Sequence, residues 1–234
     1  MNWKEIKISK DNTCFEFNGR KIYNRVFQEV LKFHDPGLAP VKDITGSFHI
    51  DIVGNDLYPQ RYERTFGFYY NRAAIKDGSN WFHINEKGVR YYAHSFAWAG
   101  NYQENICTVR DFENNYFHID LQGERIYPKN YSYCGDFKDG VACVRLKNGN
   151  FRHIDSSGNY IHEKEFIDLG VFHKGHATAK NEKGWFHIDV RGNELYPQRY
   201  SLIEPFYNGY ALVDTFNGSK VIIDETGEVI NTIH

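Results

Sequence analysis

A histidine two residues before an aspartate can work as an acid/base pair, with the imidazole moving a proton and the carboxylate orienting the ring. The spacing recurs as His49/Asp51, His118/Asp120, His153/Asp155 and His187/Asp189, and a further copy reads His83/Asn85. A reaction needs such a pair once, beside a nucleophile. Here no nucleophile recurs with the histidines, Cys107 stands alone in its column, and no G-x-S-x-G is present. Asn85 can accept a backbone N–H but cannot act as a general base. No catalytic residue is therefore expected. Metal binding would need several rings within about 2.0 to 2.1 Å of one ion. Rings held a strand or sheet spacing apart, about 5 to 10 Å, could share an ion in pairs but imply no four-ligand site. No metal is expected, and without a phosphate loop, a dinucleotide fingerprint or HExxH, no cofactor either.

The elements that must hold these residues are written as one repeated phrase. F-H-I-D/N stands at Phe48–Asp51, Phe82–Asn85, Phe117–Asp120 and Phe186–Asp189, with a looser copy at Phe151–Asp155, and the histidines fall 34 or 35 residues apart. A glycine follows each acidic position by three, as Gly19, Gly54, Gly88, Gly123, Gly158, Gly192 and Gly227, the last after Asp224. Four residues on stand Tyr23, Tyr58, Tyr92, Tyr127 and Tyr196, and an A-x-V-like pair recurs, as in Ala142/Val144. Self-similarity at such a period is the signature of an array of supersecondary units. Seven units are read, at about 1–35, 36–69, 70–103, 104–138, 139–173, 174–207 and 208–234, forming a single domain over 1–234 with no linker.

Each unit reads as three short strands: the A-x-V segment, the F-H-I-D segment and an aromatic run such as Arg125 to Tyr131. In the first repeat the opening strand would be Glu5 to Lys10, and the last hairpin would end near Ile230. The expected fold is an all-β tandem array, open and solenoid-like, with a closed propeller-like ring as the alternative. Asp at i with Gly at i+3 is turn chemistry, the carboxylate accepting a backbone N–H. Asp51, Asn85, Asp120, Asp155, Asp189 and Asp224 are assigned to such turns with their glycines. The histidines His49, His83, His118, His153 and His187 are read first as a ladder bonding each repeat to backbone or carboxylate next door, and second as binding candidates. Tyr58, Tyr127 and Tyr196 are candidates as shelves for a sugar or base, against core packing as the plainer reading.

Composition narrows the class. The chain has 28 Lys and Arg against 30 Asp and Glu, and no run of like charge, so no nucleic-acid stripe or polybasic membrane patch is visible in it, although a basic face could assemble in three dimensions. Cys14, Cys107, Cys134 and Cys143 form no CxxC or zinc pattern and read as free thiols in a reducing compartment. The charged start, with no long apolar window, points to the cytoplasm.

These columns resemble the WG-repeat family of bacterial β-repeat arrays. The resemblance rests on Trp185-Phe186-His187-Ile188-Asp189 with Gly192, on Ile126-Tyr127-Pro128, and on Gly140-Val141-Ala142-Cys143-Val144. Phe82 and Phe186 stand where the family has Gly after Trp, and His fills its usual aromatic position, as in a histidine-bearing subgroup. The resemblance implies an interaction module, in some members joined to methyltransferase or kinase domains, with no catalytic residues to transfer. The expected function is non-enzymatic binding of a protein or peptide partner. A carbohydrate or small-ligand binder and an enzyme with one His-centred site are the alternatives.

Overall fold

The structure, a computed structural model, describes residues 2–233. Among these, the strands form seven antiparallel sheets, each made of consecutive segments, and the only helix is the short 3-10 turn Trp3–Glu5. The first sheet comprises Lys7–Ile8, Phe15–Phe17 and Arg20–Lys21, and the second Glu29–Val30, Ala39–Asp43 and Gly46–Ile50. The third comprises Arg64–Tyr69, Arg72–Asp77 and Asn80–Ile84, and the fourth Trp98–Gln103, Ile106–Arg110 and Tyr116–Ile119. The fifth holds Tyr133–Cys134, Val141–Arg145 and Phe151–Asp155, and the sixth Asp168–Leu169, His176–Asn181 and Gly184–Asp189. The seventh adds a fourth strand: Leu202–Ile203, Tyr210–Asp214, Lys220–Asp224 and Val229–Ile233.

The register explains the A-x-V column. In the fifth sheet Ala142 faces Ile154 and Cys143 faces His153 across the ladder, while Cys134 pairs with Val144 from the other side. All of these residues are buried, so both faces of the sheet are covered, as for a strand inside a stack. The described chain divides into two compact units, one running to Asn114 and taking in His118–Arg125, the other taking in Asn115–Phe117 and continuing from Ile126.

Strand assignment differs from expectation in two respects. The aromatic run Arg125–Tyr131 meets the sheet in the isolated bridges Ile119↔Arg125 and Tyr116↔Tyr131 at its ends, and the sixth sheet repeats this with Ile188↔Glu194 and Trp185↔Tyr200. Pro128 and Pro197 have no N–H to give a ladder, and the tyrosine before each leaves the sheet to pack elsewhere. The third strand of most sheets lies instead just before A-x-V, where segments as short as Asp168–Leu169 carry no readable period. In the first repeat the strand is Lys7–Ile8, after the 3-10 turn.

Candidate functional site

His49, His83, His118, His153 and His187 lie in the middle of the F-H-I strand of sheets two to six, and all five side chains are buried. Their neighbours Phe and Ile are buried too, so the strand hides its polar and apolar faces alike. A buried imidazole must satisfy two ring nitrogens. In sheet two His49 Nε2 lies 2.7 Å from the carbonyl of Phe66, in the first strand of the next sheet, and Nδ1 meets the hydroxyl of Tyr58. His83 repeats this with the carbonyl of Gly100 at 2.9 Å and the Tyr92 hydroxyl. In sheet six the partners are the carbonyl of Glu204 at 2.9 Å and the Tyr196 hydroxyl at 2.5 Å. A carbonyl can only accept, so Nε2 carries the proton, and Nδ1 accepts from the tyrosine. An aromatic ring further along the chain, in or beside the next sheet, covers these imidazoles: Phe68 on His49 at 4.6 Å, Tyr102 on His83 at 4.8 Å, Phe206 on His187 at 3.9 Å.

Burial disfavours the charged form, and it lowers His49, His83, His153 and His187 to about 4. These rings are neutral at pH 7. Their paired carboxylates are not partners: Asp51 turns away to accept the N–H groups of Val53 at 2.8 Å and Asn55 at 2.9 Å. Asn85 holds Lys87 at 2.9 Å and Val89 at 3.0 Å in the same way with its amide oxygen. Asp120, Asp155, Asp189 and Asp224 each accept the corresponding two N–H groups. At His49, His153 and His187 both ring nitrogens are therefore engaged by groups other than the following aspartate.

Tyr58, Tyr127 and Tyr196 are at most 5 % exposed. Each lies beneath the turn glycine of the following repeat. A Cβ on Gly158 would fall 2.5 Å from Tyr127 Cγ, and one on Gly227 2.6 Å from Tyr196 Cγ. The backbone is also left-handed there, at φ +77° and +80°, so these two glycines serve both the turn and the approach. Rings covered in this way present no face to a sugar or base. The fifth repeat breaks the column: His162 stands in the tyrosine's place, its Nε2 3.2 Å from His153 Nδ1, while His153 Nε2 donates to the carbonyl of Gly170 at 2.8 Å. Among the described residues no three His, Cys, Asp or Glu side chains converge as a metal site.

What remains for a ligand is at the hairpins. Ile44, Phe112 and Phe216 stand 91 %, 59 % and 67 % exposed at the tip between the A-x-V strand and the F-H-I strand of three repeats. A cavity of about 420 Å³ in the second unit is lined by Lys138, Val171, His173 and Glu204–Tyr207, and one of about 350 Å³ in the first by His34, Asp35 and Phe68–Asn71. Sequence reasoning passed over these residues. Their signal was a variable column among constant ones, the residue after a buried aromatic: His34, Tyr69, Gln103, Lys138, His173 and Tyr207. No helix among the described residues is long and apolar enough to cross a membrane.

Residues 119–151 and 188–215 match the sequence pattern of the family described as WG containing repeat. No curated protein matches the chain. Among solved structures the chain is similar to a eukaryotic initiation factor, with 13 % identity and a TM-score of 0.62 over 98 % of this chain and 72 % of that one. It is also similar to the computationally designed Ika8 protein, at 12 % identity and 0.53 over 97 % and 83 %. KlHsv2 with loop 6CD replaced by a Gly-Ser linker aligns at 7 % identity and 0.50 over 94 % and 91 %. At these identities the likeness concerns the fold alone. The chain is an all-β repeat array in which two stretches, 119–151 and 188–215, match the family described as WG containing repeat.

Proposed function

We propose that the chain is a non-enzymatic repeat module that binds a protein or peptide partner and serves as the recognition part of a larger bacterial system in the cytoplasm. The observation that carries this reading is the apolar residue exposed at the same hairpin tip in three repeats, Ile44, Phe112 and Phe216. Apolar side chains so exposed offer contact area to a partner, and their recurrence at one place in the repeat gives equivalent handholds, Ile44 and Phe112 in the first unit and Phe216 in the second. The chemically capable columns support the same reading from the other side. His49, His83, His153 and His187 are neutral and bonded at both ring nitrogens, and the tyrosines are covered, which favours neither an enzyme nor a lectin.

The test is affinity capture with the immobilised chain, followed by the triple variant Ile44→Ser, Phe112→Ser, Phe216→Ser. A protein retained by the wild type and lost from the variant, with an unchanged melt, supports the reading. Equal retention by both, or no specific retention, overturns it.

A further inference from the structure

The 420 Å³ cavity of the second unit is built from one column of the repeat. Lys138, His173 and Tyr207 each follow a buried phenylalanine (Phe137, Phe172, Phe206) and precede a turn of two left-handed residues: Asp139-Gly140, Lys174-Gly175 and Asn208-Gly209. Two positive φ values in a row make the type I′ hairpin, which lets consecutive strands cross tightly and holds the preceding residue in a fixed place. Lys138, His173 and Tyr207 differ from one another at this column, which gives the cavity lining its chemistry.

Three observations give that chemistry. The rings of His173 and Tyr207 are parallel to within 3°, with centroids 6.5 Å apart, and Tyr207 is 74 % exposed. His173 Nε2 is buried and has no hydrogen-bond partner. Lys138 and Glu204 line the same cavity with opposite charges, yet neither is ion-paired with any described residue. The corresponding cavity of the first unit is arranged differently. There His34 lies directly on Gly67, where no Cβ would fit, and its ring leans on Tyr69 at 4.9 Å and 53°. The position of Gly67 is occupied by Pro205 in the second unit, 138 residues on, as Tyr69 is by Tyr207. There the rings of His173 and Tyr207 are parallel instead of tilted.

We propose that this cavity binds a flat aromatic ring that carries one carboxylate and one ammonium group, the chemistry of an aromatic α-amino acid or of an aromatic peptide residue flanked by Lys and Glu. The ring lies against Tyr207 and His173, with the carboxylate toward Lys138 and the ammonium toward Glu204. Stacking and two charge contacts on an apolar floor of Val171 and Phe206 are the few convergent groups that a small-ligand site needs. The site stands apart from the partner reading, because Ile44, Phe112 and Phe216 take no part in it.

Calorimetric titration with L-tryptophan and with the capped tripeptide acetyl-Lys-Trp-Glu-amide tests it, with indole as the uncharged control. One of the two charged probes binds, and the arm that responds identifies the source. Tyr207→Ala and Lys138→Glu, both at exposed positions, each weaken binding roughly tenfold or more, the loss of one stacking or charge contact, while the melt is unchanged. The hairpin-tip triple variant binds the probe like wild type. Absence of binding by both probes, indole binding as tightly as tryptophan, or full affinity in Tyr207→Ala and Lys138→Glu would overturn the proposal.

Discussion

Sheets five and six solve the same problem with different side chains. In sheet six His187 Nδ1 receives the hydroxyl of Tyr196 at 2.5 Å; in sheet five His153 Nδ1 receives the Nε2–H of His162 at 3.2 Å. Both second partners are backbone carbonyls seventeen residues further on, at 2.9 and 2.8 Å. The column therefore requires a donor aimed at Nδ1, and the ring that carries it can change. The exchange has a cost, because an imidazole has a second nitrogen where a phenol has none. His162 Nδ1 is buried without a partner, as is Nε of the adjacent Arg152. Gly192 covers His162 just as Gly227 covers Tyr196, so the backbone of the two repeats does not register the swap.

The largest test of this comparison is acid. His49, His83, His153 and His187 titrate at about 4 in the folded chain, against about 6.5 unfolded. A depressed folded value means that the stabilisation is complete above pH 6.5 and is lost as pH falls from 6.5 toward 4. Each ring contributes on the order of 1 to 3 kcal/mol to that loss, so the four together approach the whole stability of a domain. Thermal melts should fall steeply over this window. An acid limb equally steep after His49→Gln, His83→Gln and His187→Gln are combined would refute the assignment.

Next in size, His187→Leu leaves the Tyr196 hydroxyl and the Glu204 carbonyl unpaired inside the protein and should cost about 3 kcal/mol in urea titration. His153→Leu should cost less, because its partner His162 already tolerates one unpaired nitrogen. Equal losses at the two sites would erase the difference between the sheets. Tyr196→Phe removes the donor alone and should cost about 1 to 2 kcal/mol, with a negligible cost pointing to a lone Nδ1 that finds another donor. The smallest effect has the opposite sign. His162→Tyr restores the commoner donor and removes the unpartnered nitrogen, raising stability by about 1 kcal/mol or less, and a destabilised variant would show that Arg152 and His162 form a pair of their own.

The array is readable in the sequence because each repeat states its turn in full: Asp-x-x-Gly needs only four neighbouring residues, and Asn85 in the same column already separates turn chemistry from catalysis. The A-x-V and F-H-I strands are long enough for alternation to register. The first strand of most sheets is not, since segments such as Tyr133–Cys134 and Leu202–Ile203 have two residues each and depend on their neighbours for order. The Tyr-Pro run misleads in the other direction: its alternation looks like a strand, yet its tyrosine serves the next repeat. The partners of the histidine escape a single-repeat reading for the same reason. One is a hydroxyl nine residues away and the other a backbone carbonyl seventeen away, and backbone atoms leave no trace in residue identity.

The seventeen-residue reach of each imidazole also sets an order of events. As the chain emerges N-terminus first, His49 can close on Tyr58 as soon as its own repeat exists, but its Nε2–H waits for the carbonyl of Phe66. His83 then waits in turn for Gly100, and His153 for Gly170. Every joint is completed by chain made shortly after it, so an all-β molecule assembles through local contacts, the kind that fold quickly.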